Sequence, residues 1–239
     1  MKNTSGNALW FILIAIFLLG GLTVLLSRTG SNTEETGSTE QLRISVSKLF
    51  QDMQGIQNAV VSMMLKGVSE NQISFENTLY STYGGAYIQG PGSNPNCISE
   101  DCKIFGTSTG LNPRYPNENI LSKIPHTPGN WKFGTTALEQ FRKHDIGTAA
   151  PDLFLVTVKL SKEACMTFNN MIGVTNTASD PPALTPTPTS GGIYNGTFAA
   201  NAPLIDNSFT ALNGKKSFCV NYLPDGPEAY HAFHLILSR

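Results

Sequence analysis

Gly106-Thr107-Ser108-Thr109-Gly110 matches G-x-S-x-G, the spacing in which a serine on a sharp turn attacks a carbonyl carbon. An acid and a histidine follow in the chain order such a site uses, for example Asp206 and His231. The chemistry also needs a strand before the serine and a helix after it. A short strand, CKIF, precedes the motif. The segment that follows, LNPRYPNEN, holds two prolines and cannot open a helix. The string therefore reads as a polar loop, and no catalytic residue is expected.

Metal chemistry fares no better. His231 and His234 lie three apart in an expected strand, so alternation places them on opposite faces and makes them poor co-ligands. His126 and His144 have no partner at ligand spacing. Cys97 and Cys102 could begin a zinc site, but no second cysteine or histidine pair lies nearby to complete it. No phosphate loop, dinucleotide fingerprint or HExxH helix is present. No metal and no cofactor are expected. Asn195-Gly196-Thr197 matches a glycosylation sequon, a pattern common by chance. The formal net charge is −1 and no basic run occurs, so nucleic acid is not an expected partner.

The cysteines are better read as braces. There are four, an even number, which suits an oxidising compartment. Cys97 pairing with Cys102 closes a small loop, and Cys165 pairing with Cys219 closes a long one. Chain-entropy arithmetic makes the long bridge worth about 4 kcal/mol and the short one about 2.

What must carry such a body is set by Ala8 to Ser27, ALWFILIAIFLLGGLTVLLS, a run without a charge. As a helix it spans ~30 Å, the hydrocarbon thickness of a bilayer. Lys2 and the amino terminus precede it; Arg28, then Glu34 and Glu35, follow it. That bias places the N-terminus in the cytoplasm and the body outside. A cleaved secretory signal, which needs a small-x-small site just after the run, is the rival; SRTGSNTEE follows, and the apolar run is longer than a typical h-region, which favours an uncleaved anchor. Only 14% of residues are charged, against ~25% in typical soluble domains, and Ser, Thr, Asn, Gly and Pro supply the polarity.

Arg28 to Thr39 reads as a flexible linker, because Gly30 and Gly37 sit among Ser, Thr and Asn. Ser38 to Gln41 then matches a capping box. From there Leu42, Val46, Leu49, Met53, Ile56, Val60 and Met63 recur at alternating steps of four and three, a seam along one side of a helix. Ile44, Phe50, Val61, Met64 and Leu65 widen that face, which suits burial against a sheet. Gly67 is the expected C-cap. Further on, strands are expected within Trp131–Phe141, over Leu153–Leu160, in KSFCVNYL and in AYHAFHLILSR, the last two joined at Pro224–Pro227. Ser161 caps a short helix, KEACMTFNNMIG, with Cys165 facing inward. The Pro-rich stretch DPPALTPTPTSGG is an extended loop.

The opening MKNTSG, a short polar leader ending in Gly6 directly before a hydrophobic helix, resembles a type IV prepilin leader. The apolar helix, the seam helix, a β-rich body and a late paired cysteine resemble the layout of a type IV pilin or pseudopilin. Pilins usually carry Glu five residues into the mature chain; here Phe11 stands there, and some minor members also lack it. The resemblance implies cleavage between Gly6 and Asn7 by a prepilin peptidase. It also implies an α+β fold with the helix packed on an antiparallel sheet, and a non-enzymatic role beside other pilin-like subunits. The implied setting is a bacterial inner membrane, with a periplasmic or extracellular head. The expected division is a leader at 1–6, a membrane helix at 7–27, a linker at 28–39, an amphipathic helix at 40–67 and a head at 68–239. A membrane-tethered binding domain unrelated to filaments is the alternative.

Overall fold

The computed structural model describes residues 6–76, 94–114, 116–122, 136–143, 145–185, 194–200, 202–205, 209–223 and 228–239. Two compact units make up the chain, Met1–Leu42 and Arg43–Arg239.

The first helix, α1, runs from Gly6 to Leu65 without a break. The linker expected at 28–39 is therefore helical, and the capping box at Ser38 lies within the helix rather than at its start. The physical reason is the cost of restarting. A glycine costs about 1 kcal/mol against Ala inside a helix. Ending one helix and nucleating another forfeits several hydrogen bonds and repeats an unfavourable nucleation. At its far end α1 stops as expected. Gly67 takes φ +95°, and Val68 N–H donates to the Met63 carbonyl at 3.1 Å.

Among the described residues five strands follow: β1 (Thr136–Phe141), β2 (Asp152–Leu160), β3 (Ala183–Leu184), β4 (Ser217–Tyr222) and β5 (Tyr230–Leu237). They form one sheet in the order β1-β2-β5-β4-β3, antiparallel except for the short parallel pairing of β3 with β4. A second helix, α2 (Lys162–Ile172), starts on Ser161, whose Oγ accepts the Ala164 N–H at 3.1 Å, and ends on Gly173 at φ +70°. The connection at 224–227 lies outside the described residues.

β2 and β5 are rich in apolar residues, and their described side chains are buried on both faces, apart from Leu237 at the end of β5. One face carries Leu155, Thr157, His234 and Cys219, brought together by the register. It meets the Arg43–Leu65 part of α1 and the helix α2. Val46, Leu49, Met53, Val60 and Met63 of the seam are buried, as the spacing predicts. The Phe50 ring lies nearly perpendicular to both Phe168 of α2 and His234 of β5, with centroids 5.6 Å apart in each case. The widening of that face does not occur. Of the five added residues only Phe50 turns inward; Ile44, Val61, Met64 and Leu65 are exposed. The buried stripe is narrower because they project away from its centre at 100° per residue.

The other face supports a second core that strand patterns alone do not reveal. Phe154, Val156, Phe218 and Phe233 pack there against Phe141, Val174, Leu184, Ile205 and Leu212. Phe218 and Phe233 stack at 5.0 Å, and Phe141 meets Phe233 edge-on at 5.4 Å. The covering comes largely from loops, which explains how a body poor in charge and rich in turns still buries both faces of its sheet.

Both expected disulfides are present, Cys97–Cys102 and Cys165–Cys219. The second ties α2 to β4, and Cys165 is fully buried. Asn169, one turn along α2, adds a polar clamp beside it. Its Nδ2 donates to the Cys219 carbonyl and its Oδ1 accepts the Cys219 N–H, both at 2.8 Å. β3 pairs only with Asn221 and Tyr222, so Asn169 takes the place of a neighbouring strand at Cys219. An Asn169→Ala variant leaves both backbone groups buried without these partners. It should lose about 2–3 kcal/mol in denaturant unfolding; a loss under about 0.5 kcal/mol would show the clamp to be idle.

A further knot gathers around Arg239. Its N–H donates to buried Asp152 Oδ1 at 2.9 Å, its carbonyl accepts from Thr148, and its guanidinium pairs with Glu70 at 3.0 Å while lying over the Phe198 ring. Tyr194, fully buried, donates to the Glu70 carbonyl. The end of β5 is thus fastened to the turn that follows α1.

Candidate functional site

The hydrolase constellation does not assemble. Gly106–Gly110 is a succession of turns, with no helix after it, and Lys103 before it makes only an isolated bridge to Ser74. Among the described residues the Ser108 hydroxyl bonds one backbone carbonyl, that of Glu100, at 3.3 Å. Asp206 lies outside the described residues. His231 is buried in β5 and stacked on Tyr222 at 5.1 Å. Desolvation, with a smaller push from Lys159, drives its pKa down to about 3, too weak a base for work near neutral pH.

The register brings together one serine–histidine pair that sequence spacing could not reveal. Ser217 Oγ lies 2.7 Å from His234 Nδ1, and Gln57 Oε1 of α1 lies 3.2 Å from His234 Nε2. The Gln57 carbonyl oxygen can only accept, so Nε2 carries the proton and Nδ1 accepts from Ser217. The order serine, imidazole, acceptor resembles a catalytic relay. The setting opposes it: His234 is 4% exposed beneath α1, and desolvation lowers its pKa to about 4. The arrangement fastens α1 to the sheet. His231 and His234 point to opposite faces, as alternation predicts. Among the described residues no cluster of His, Cys, Asp or Glu is placed to hold a metal. His126 and His144 lie outside the described residues.

The remaining candidate surface is α1 in the first unit. Gly6 and Asn7 are its first residues, with side chains outside the described set. From Trp10 every large apolar side chain through Leu22 is exposed, among them Trp10 at 64% and Phe17 at 83%. Consecutive residues stand 100° apart, so this run covers all sides of the helix. Among the described residues no helix is long and apolar enough to cross a membrane. The side chains described there run from Trp10 to Thr23, short of the ~20 residues a span needs, while the uncharged run extends from Ala8 to Ser27. An apolar surface of this kind marks an interaction with lipid or protein. It cannot do covalent chemistry. Compared with protein-family models, curated proteins and solved structures, the chain matches none.

Proposed function

We propose that the chain is a non-enzymatic, membrane-anchored subunit of pilin-like design, working in a bacterial type IV pilus or a secretion pseudopilus. One observation carries the reading: an apolar helical surface, exposed on every side from Trp10 to Leu22, on the same helix whose later turns build the core of a disulfide-braced head. Its natural solvent is a bilayer or the packed helices of sister subunits. The continuous α1 supports the same reading, since pilin-like chains use one long helix both as anchor and as spine of the head. The proposed topology is single-pass in the inner membrane, N-terminus in the cytoplasm and head in the periplasm or outside. A prepilin peptidase would cut between Gly6 and Asn7.

N-terminal sequencing of the protein recovered from membranes tests this. Asn7 as first residue is the expected result, and it should revert to an uncut chain in a Gly6→Leu variant. Recovery of wild-type protein with Met1 intact would overturn the prepilin reading and leave a plain tether.

A further inference from the structure

A cavity of about 230 Å³ opens in the head between the second half of α1, β2 and residues 105–114 with Pro116. Its apolar walls are Met53, Ile56, Phe75, Phe105 and Leu155. Asp52 and Arg114, of opposite charge and both exposed, also line it. Among the described residues neither is engaged in an ion pair. Gly55 lines it as well, in the interior of α1, where glycine is among the poorest helix formers. A Cβ at Gly55 would meet nothing within 4 Å among the described residues, so no neighbour there demands a glycine. What the missing side chain leaves is room.

We propose that this cavity binds a free aromatic amino acid. The ring enters the apolar well, the ammonium meets Asp52 and the carboxylate meets the guanidinium of Arg114. Size supports a single ring: a cavity of about 150 Å³ lined by apolar side chains is known to take up benzene, while drug-sized pockets start near ~300 Å³. The rim supports the two charges. A simple aromatic acid would meet Asp52 as a repulsive neighbour, and a simple amine would meet Arg114; the zwitterion satisfies both. The planar guanidinium also matches a carboxylate with two parallel hydrogen bonds. Binding here does not depend on whether the chain assembles into a filament.

The test uses the full chain in detergent micelles and saturation-transfer NMR. L-phenylalanine should saturate with a dissociation constant of about 1 mM or tighter. Phenethylamine and 3-phenylpropanoate should each bind about tenfold more weakly, and L-alanine should not saturate. Gly55→Leu fills the cavity from a position where leucine favours the helix, so it should abolish binding with an unchanged or higher melting temperature. Arg114→Gln, at an exposed site, should weaken L-phenylalanine about tenfold and leave phenethylamine no weaker. The proposal fails if L-phenylalanine does not saturate, if either single-charge analogue binds as tightly, or if folded Gly55→Leu binds like the wild type. Tighter binding of uncharged N-acetyl-phenylalaninamide would also overturn it, in favour of an aromatic side chain from a partner protein.

Discussion

Replacing Cys219 with serine should lower the melting temperature of the head by about 8–16 °C. Cys165 and Cys219 are 54 positions apart, and the bridge removes the corresponding loop entropy from the unfolded chain, about 4 kcal/mol. For a domain of this size each kcal/mol is worth about 2–4 °C. Two local effects add to the loss: both sulfurs sit in fully buried residues, and a serine hydroxyl would enter that site without a designed partner. Asn169 still clamps the backbone of residue 219, so the variant should fold, at reduced stability. Cys97→Ser is the internal comparison. Its bridge spans only 5 positions at a more exposed loop and should cost about 2 kcal/mol. Equal melting temperatures for Cys219→Ser and wild type, or a larger drop for Cys97→Ser, would contradict this account.

Acid should weaken the head through its histidines. His231 and His234 are buried and neutral in the folded chain, with pKa values lowered by desolvation to about 3 and about 4. Between pH 6.5 and those values the unfolded chain takes up protons that the folded chain refuses. Stability from each is therefore present above pH 6.5 and falls by about 1.4 kcal/mol per pH unit as pH drops. Asp152 acts the other way. Burial raises its pKa to about 6, against hydrogen bonds from the Arg239 and Lys143 backbones and the positive charges of Lys143 and Arg239, so the folded chain holds a proton that the unfolded one releases. Its contribution is present at low pH and is lost as pH rises through 6. Two histidines outweigh one carboxyl. The net loss between pH 7 and pH 4 comes to about 4 kcal/mol, a large share of a typical domain's 5–15. Denaturant unfolding across that range should show the decline, and His234→Gln, which can still bond Ser217, should leave only about 1 kcal/mol of it. A stability curve flat from pH 7 to pH 4.5 would mean that the histidines are not held neutral.

Much of this architecture can be read from local pattern. The alternating four-and-three spacing from Leu42 to Met63 depends only on helical geometry, and five of its seven residues are buried. The strands expected over Leu153–Leu160 and in AYHAFHLILSR are present as β2 and β5. Four cysteines allow three connectivities, and the expected one, Cys97 with Cys102 and Cys165 with Cys219, is present. Ser108 could be set aside because prolines bar the helix its chemistry needs.

Long-range contact decided the rest. Whether α1 breaks at Gly30 and Gly37 is a competition between propensity and nucleation, and the motif pattern registers only the first. His234 meets Ser217 and Gln57 only because β4 pairs with β5 and α1 crosses the sheet there, bringing together side chains up to 177 positions apart. Asn169 reads as an ordinary helical polar residue until the short β3 leaves Cys219 without a strand beside it. Sequence by itself determined the periodicities, which are one-dimensional properties, and an even number of cysteines available as braces. Register, the loop-covered second core and the cavity beside Gly55 come from tertiary structure alone, since each depends on which distant segments meet.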